Sequence, residues 1–138
     1  MGGRSARPVR SAVKGLTLDT GALIALERGE QRITALLDRA LATPDAVLHI
    51  PAAVLAQAFR DGRRQVRLVR LLGRRQTTIV PLDDSIAYAI GALLGAADAR
   101  DVVDASVVLC ARLRRQGVAT SDPDDLRRLD PSLLLTVV

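Results

Sequence analysis

The sequence predicts an α/β fold, a three-layer α/β/α sandwich in which helices cover both faces of a central parallel sheet. Short apolar runs alternate along the chain with longer stretches of helical periodicity, as in folds whose parallel strands are joined by helices. The short runs are apolar almost throughout, which is typical of strands buried on both faces. A chain of 138 residues is long enough for one domain with a substantial core.

The predicted strands are Leu16–Asp19, Val47–Ile50, Thr77–Val80, Val118–Thr120 and Leu134–Val138. The predicted helices are Gly21–Arg28, Glu30–Leu41, Ala52–Asp61, Gln65–Leu72, Asp83–Leu94, Asp101–Arg115 and Asp124–Leu129. Helix starts are well marked, because Thr20 can cap the first helix and Pro51 suits the first turn of a later one. Asp83 or Asp84 begins the helix that follows Pro81.

Residues 1–14 are predicted to be a flexible basic N-terminal tail, and residues 15–138 to form the folded domain. The tail lacks the apolar stretch of a signal peptide, and no apolar run approaches the length needed to span a membrane. The single cysteine, Cys110, cannot form an intrachain disulfide and lies in an apolar helix, where it fits as a small core residue. Together these features indicate a cytoplasmic protein.

The net charge of +5 comes almost entirely from arginine. Arginine favours bidentate contacts with phosphate, so a basic balance suits nucleic acid or an acidic protein partner. The only aromatic residues are Phe59 and Tyr88, which argues against recognition of bases by stacking. Recognition of a nucleic-acid backbone or shape stays open.

Four aspartates, Asp19, Asp101, Asp104 and Asp122, fall where the predicted topology can bring them together. Acids at the carboxyl ends of parallel strands point into the crevice where such folds bind ligands. A group of carboxylates there needs a counter-charge, and a hard divalent cation supplies one. The sequence therefore indicates a metal-dependent enzyme.

Each acid also has a structural explanation. Asp122 precedes Pro123 and the acids Asp124 and Asp125, which together resemble a capped helix start. Asp101 and Asp104 fall in the first turn of a helix, where the helix dipole favours anions. Asp19 is harder to explain in this way, because it interrupts an apolar run where a buried carboxylate is costly. Convergence of three segments on one edge of the sheet is the stronger indication.

Three segments of the chain resemble the three acidic motifs of PIN-domain nucleases, especially those of VapC-like toxins of small actinobacterial type. The segments are LTLDTGALIAL, DVVDASVVLCARLRRQG and VATSDPDDLRRL. The resemblance implies a PIN-like nuclease domain over residues 15–138 that cleaves RNA with Mg²⁺ or Mn²⁺. It also implies a cognate antitoxin partner and a homodimer. Asp19, Asp104 and Asp122 match the family's metal-binding positions, and Asp101 can add a fourth carboxylate. The supporting residues are Thr20, Thr120 and Asp125.

One position departs from the family pattern. Gln57 in PAAVLAQAFRDG stands where the family usually has a glutamate. An amide oxygen can still ligate a hard cation or orient a water, but it brings no charge. Asp101 can compensate for the missing charge, whereas Asp61, one turn further on, is a poorer substitute.

Five arginines recur at helical spacing, namely Arg60, Arg63, Arg67, Arg70 and Arg74. In a continuous helix they would line one face and bind RNA phosphates or an acidic antitoxin segment. Gly62 and Gly73 can break that helix and leave a merely solvated face.

Two other functions stay open. A PIN-like module with weak or no catalysis, which binds RNA or protein, is the main alternative, and Gln57 is the feature that favours it. A phosphatase- or receiver-like domain is disfavoured, since no aspartate ends the strand Thr77–Val80 and the only lysine is Lys14. His49 is predicted to be structural or exposed rather than catalytic.

Overall fold

The computed structural model describes residues 15–138; the predicted basic tail lies outside them. The strands are β1 (Leu16–Leu18), β2 (Leu48–Pro51), β3 (Thr77–Val80), β4 (Gly117–Thr120) and β5 (Leu135–Val137). The helices are α1 (Thr20–Glu27), α2 (Gln31–Leu41), α3 (Ala52–Ala58), α4 (Val66–Leu72), α5 (Asp84–Ala97), α6 (Val102–Arg114) and α7 (Pro123–Leu129).

All five strands are parallel and form one sheet in the order β3-β2-β1-β4-β5. The chain moves outward from β1 to β3 and then returns to β4 beside β1. Right-handed crossovers place the helices before β3 on one face of the sheet and those after it on the other. The direction of winding therefore reverses between β1 and β4, and a ligand crevice is expected at the carboxyl ends of these two strands.

Helix α6 lies at the centre of the second helical layer. It contacts β1, β2 and β4 as well as α5 and α7, and its residues 105–111 are all buried. Val107 and Val108 have no solvent exposure and join the main core with Leu18 and Val118. A helix that is apolar on all sides is stable only when it is enclosed in this way. Burial of α6 fixes the position of Asp104 in its first turn.

The predicted strands and the three-layer parallel α/β/α architecture are confirmed, with element ends displaced by a few residues. The cap of the first helix was predicted wrongly. Asp19, not Thr20, is the N-cap residue of α1, and its side chain accepts a hydrogen bond from the backbone N–H of Ala22. Thr20 is the first helical residue, which leaves its hydroxyl available for another contact.

The arginine series does not lie on one continuous helix. Helix α3 ends at Ala58, and α4 begins only at Val66. The buried side chain of Gln65 holds the intervening loop, because its Oε1 accepts from the N–H groups of Arg60 and Asp61. Its Nε2 donates to Glu27 Oε2 and to the carbonyl of Ala58. These bonds satisfy the backbone where the helix stops, so Arg60 and Arg63 lie in a loop.

Among helices within residues 15–138, none is long and apolar enough to cross a membrane.

Candidate active site

The site begins where the first turn of α1 meets the loop that follows β4. A Cβ atom on Gly21 would lie 1.7 Å from Ser121 Oγ and 2.8 Å from Ser121 Cβ. Only glycine allows this approach, since any side chain would overlap the serine. The close contact brings the segment after β1 and the segment after β4 together, with Asp19 on one and Asp122 on the other.

Asp19 is the most rigidly held of the acids. It is buried, its Oδ1 accepts from Ala22 N at 2.8 Å, and it also receives hydrogen bonds from the Thr120 hydroxyl and the Gly21 N–H. Burial raises the pKa of Asp19, and these three hydrogen bonds oppose the rise. The donors stabilise the ionised form in a buried position, which suits a carboxylate that must bind a cation.

Asp104 projects from the first turn of α6 and is half-buried. Burial, followed by the negative charges of Asp101, Asp125, Asp122 and Asp19 in decreasing order, raises the pKa of Asp104 to about 6. Asp101 is the N-cap of α6, and its Oδ1 accepts the N–H of Asp104 at 3.0 Å. Five carboxyl groups from three segments of the chain therefore lie close enough for the other four to act on Asp104.

Asp122 occupies the N-cap position of α7, but its side chain makes no capping hydrogen bond there. Its backbone N–H instead donates to the buried hydroxyl of Thr120 at 2.8 Å. A hydrogen bond with the carboxyl group of Asp125 is the main cause that raises the pKa of Asp122. Helix capping therefore does not explain why an aspartate stands at position 122, since its carboxylate is exposed beside another acid.

Gln57 lies within reach of the acidic segment. The Thr20 hydroxyl donates to Gln57 Oε1 at 2.5 Å, so α3 is connected to the first turn of α1 directly beside Asp19. The structure thus brings Gln57 into contact with Thr20, the residue that follows Asp19; a role of either side chain at a metal site stays a prediction.

The donor chemistry fits a hard divalent cation. All the converging groups offer oxygen, the ligand atom that Mg²⁺ and Mn²⁺ accept. No group of three or more acid, histidine or cysteine side chains within residues 15–138 is already close enough to enclose a metal. Mg²⁺ usually keeps several waters and binds through one or two carboxylates, so an open acidic arrangement of this kind is compatible with it.

Three of the five acids, Asp101, Asp104 and Asp125, line a cavity of about 290 Å³, named here the acidic cavity. It lies between the α5–α6 connection and α7. Its lining includes Asp101, Asp104 and Asp125, the arginines Arg100 and Arg128, and the small or apolar residues Ala97, Ala99 and Leu129. Arg128 Nη2 forms an ion pair with Asp125 Oδ1 at 2.9 Å. The cavity gives a substrate access to the carboxylates.

Several predicted residues lie elsewhere. Arg67, Arg70 and Arg74 line a separate groove between α2 and α4. His49 Nδ1 lies 3.1 Å from Gln116 Oε1, which also accepts from the Thr17 hydroxyl. Burial, followed by the charge of Arg114, lowers the pKa of His49. These contacts give His49 a structural role in the sheet.

The Cys110 thiol is buried and lies 3.5 Å from Thr17 Oγ1, a contact that the sequence did not predict.

The sequence analysis also missed three residues near the acids, namely Gly21, Ser121 and Arg128. Gly21 and Ser121 adjoin predicted acids, yet only the tertiary contact shows why they matter. A glycine in the first turn of a helix was the available signal for Gly21. Arg128 carried no signal apart from its i, i+3 spacing from Asp125.

Residues 16–131 match the family model described as PIN domain. The chain belongs to the PIN domain family. The fold described above is therefore that of a PIN domain, as the sequence motifs predicted. No curated protein sequence matches the chain significantly.

Solved structures with the same fold include components of toxin–antitoxin complexes. VapBC2 from Rickettsia felis, bound to a promoter DNA fragment, is similar with a TM-score of 0.65 and 17% identity, over 89% of this chain and 98% of that chain. A toxin–antitoxin complex from Klebsiella pneumoniae gives 0.62 and 20%, over 80% and 89% of the two chains. FitAcB from Neisseria gonorrhoeae gives 0.59 and 19%, over 87% and 95%. At these identities the likeness establishes the PIN fold.

Proposed function

We propose that this PIN domain is a Mg²⁺- or Mn²⁺-dependent endoribonuclease and the toxin of a VapBC-type toxin–antitoxin pair. The observation that carries the proposal is the convergence of Asp19, Asp104 and Asp122, with Asp101 and Asp125, on the crevice at the carboxyl ends of β1 and β4. The four other carboxylates all raise the pKa of Asp104, and a bound cation would relieve that repulsion.

Asp19, Asp104, Asp122 and Asp101 would hold the cation. When bound, it would lower the pKa of a water and neutralise charge that develops on the phosphoryl oxygens. Asp19 would keep its orientation through the N–H of Ala22 and the hydroxyl of Thr120. The hydrogen bond between Asp122 and Asp125 would give way as their carboxyl groups ionise. Hydrolysis of the phosphodiester bond then needs no histidine, cysteine or serine nucleophile.

The test uses purified wild type and Asp104→Asn with a structured RNA, with and without Mn²⁺. Metal-dependent cleavage by the wild type that the variant lacks would support the enzyme. Asp38→Asn is a suitable control, because Asp38 is an exposed acid that lines a different groove. Equal cleavage by wild type and Asp104→Asn would contradict the proposed role of the acids.

The alternative function is a PIN-like module that binds RNA or protein with little or no catalysis. The uncharged side chain of Gln57, joined to Thr20 beside Asp19, favours this alternative, because it leaves the site one carboxylate short of the family pattern. Binding of RNA without cleavage by either protein in the same experiment would support it.

The groove between α2 and α4, named here the leucine groove, supports an antitoxin partner. It measures about 310 Å³. Its apolar wall consists of Leu26, Leu37, Leu41 and Leu71, and its remaining lining is Thr34, Asp38, Arg67, Arg70 and Arg74. Apolar residues beside several cations suit an amphipathic acidic peptide better than an RNA backbone. The groove shares no lining residue with the acidic cavity.

The exposed face of α5 supports a homodimer. Tyr88 is 83% exposed, and Ile90 is the only residue of this 14-residue apolar helix that is buried. A Cβ atom added at Gly91 or Gly95 would meet no atom of another segment within 4 Å, so this side of the helix is open to the approach of a second helix. An Ala92→Arg substitution on this face should convert a dimer to a monomer in light scattering.

A ribonuclease of this type is expected to act in the cytoplasm, where its substrate is found.

A further inference from the structure

The acidic cavity presents two kinds of charge, and the proposed metal site accounts for only one of them. Its carboxylates, Asp101, Asp104 and Asp125, belong to that site. Its only other charged lining residues are Asp98, Arg100 and Arg128. Arg128 is paired with one of these carboxylates, so Arg100 is the guanidinium group of this lining whose charge is still to be explained.

The two arginines differ in how they are held. Arg128 Nη2 pairs with Asp125 Oδ1 at 2.9 Å, and its side chain stays 77% exposed. Arg100 is exposed and forms no ion pair or hydrogen bond with any residue of the described part of the chain. Aspartates flank Arg100 closely in sequence, at Asp98 and Asp101, yet neither is paired with it. Its guanidinium is therefore available to an outside anion.

We infer that the acidic cavity is a subsite for the RNA backbone beside the scissile bond, in which Arg100 binds a flanking phosphate and the exposed Arg128 adds positive charge nearby. This inference rests on the proposed ribonuclease function. Guanidinium groups match phosphate oxygens in a bidentate geometry. The carboxylates repel phosphate, so an RNA strand needs nearby cations to enter the cavity.

The walls of the cavity define what the subsite recognises. Its uncharged lining is Ala97, Ala99 and Leu129, with no aromatic residue on which a base could stack. A volume of about 290 Å³ is at the lower limit of small-ligand pockets, which begin at roughly 300 Å³. The subsite therefore accommodates about one sugar-phosphate unit and contacts it without reading the base.

The test measures both binding and cleavage of a single-stranded RNA by wild type, Arg100→Gln and Arg100→Lys. Arg32→Gln is the matched control, since Arg32 is exposed on α2 and lies outside the cavity. Arg100→Gln should weaken RNA binding several-fold and lower the slope of log affinity against log salt by about 0.7. Arg100→Lys should recover part of the loss, because it restores the charge but not the bidentate geometry.

Two further readouts separate this subsite from other roles. Mg²⁺ affinity by calorimetry should not fall in Arg100→Gln, because loss of a positive charge near the carboxylates favours cation binding. A loss of RNA binding without a loss of Mg²⁺ binding would exclude an indirect effect through the metal. The loss of RNA affinity should be the same for two RNAs of equal length and different sequence. An RNA affinity and salt slope equal to those of Arg32→Gln, or a loss confined to one sequence, would overturn the inference. Failure of the proposed function would differ, since the wild type itself would then show no metal-dependent cleavage.

Discussion

Gly21 and Ser121 touch so closely that a single methyl group could not fit between them. A Cβ atom on Gly21 would lie 1.7 Å from Ser121 Oγ. This contact joins the segment that follows β1 to the segment that follows β4. The contact between the Gly21 backbone and the Ser121 side chain thus brings together the segments that carry Asp19 and Asp122.

Replacement of Gly21 by alanine should disturb both stability and activity. The added methyl group must push Ser121 away, which we expect to cost about 1–3 kcal/mol of unfolding free energy in urea. Cleavage should fall because Asp19 and Asp122 separate. The double variant Gly21→Ala/Ser121→Gly should recover most of both losses. Gly73→Ala is the control, because its nearest contact is an ordinary 3.5 Å to the Val69 carbonyl. Equal effects of the two glycine substitutions would contradict this account.

Gln57→Glu should strengthen Mg²⁺ binding. The Thr20 hydroxyl already donates to Gln57 Oε1, and a glutamate oxygen can accept the same bond while adding a negative charge beside Asp19. One extra charge near the cation is expected to contribute about 1 kcal/mol, or roughly fivefold in affinity by calorimetry. Gln31→Glu adds the same charge on exposed α2 and should have little effect. An unchanged or weaker affinity in Gln57→Glu would remove Gln57 from the site.

Asp104→Asn should stabilise the metal-free protein at neutral pH. Because the pKa of Asp104 is raised from 3.8 to about 6 in the folded state, the folded protein binds this proton more tightly than the unfolded chain. The contribution of Asp104 to stability is therefore fully present below pH 3.8 and is lost as the pH rises through about 6. The variant should gain about 1–3 kcal/mol at pH 7.5 and almost nothing at pH 3.5.

Chemical denaturation with chelator at both pH values measures this difference. Added Mg²⁺ should stabilise the wild type and have a smaller effect on the variant, since the cation binds the folded state. Asp38→Asn serves again as the exposed control. A stability gain that did not change with pH would show that repulsion among the carboxylates is not its cause.

Asp130 should show the opposite pH dependence. The pKa of Asp130 is held below its usual value, although burial opposes this. The main cause is a hydrogen bond from the Ser132 hydroxyl, and the Ser132 N–H and the Arg112 guanidinium add to it. The Asp130 contribution to stability is thus present above the ordinary carboxyl pKa and is lost as the pH falls through the lowered one. Asp130→Asn should cost about 1–3 kcal/mol at pH 7. Asp124→Asn is the control, because the Asp124 side chain is 88% exposed. It should lower the free energy of unfolding much less.

Arg70→Glu should weaken binding of the antitoxin without changing RNA cleavage. Arg70 lines the leucine groove, and reversal of its charge would repel an acidic peptide. The ligand for the measurement is a synthetic amphipathic peptide that carries glutamates on one face and leucines on the other, and a loss of about tenfold is expected. Arg75→Glu is the control, because Arg75 is exposed and lies outside the groove. A fall in RNA affinity with a reduced salt slope would instead assign Arg70 to RNA binding.

The sequence by itself determined the order of strands and helices and the positions of Asp19, Asp104 and Asp122. Those features depend on local properties, namely apolar runs of strand length, helix-start residues, and acids placed directly after buried strands or in a first turn. Gln57 was likewise recognised from its place in a motif. The structure shows its hydrogen bond with Thr20, and its role at a metal site stays a prediction.

Only the tertiary structure decided which of these residues meet and how. The Asp19 cap on α1, the contact between Gly21 and Ser121, and the pairing of Arg128 with Asp125 all depend on how segments pack. The arginine series looked continuous in sequence, but the buried hydrogen bonds of Gln65 end α3 early and leave Arg67, Arg70 and Arg74 beside a separate groove. Periodicity predicts which residues share a helix face only while the helix continues, and buried side chains distant in sequence decide where it stops.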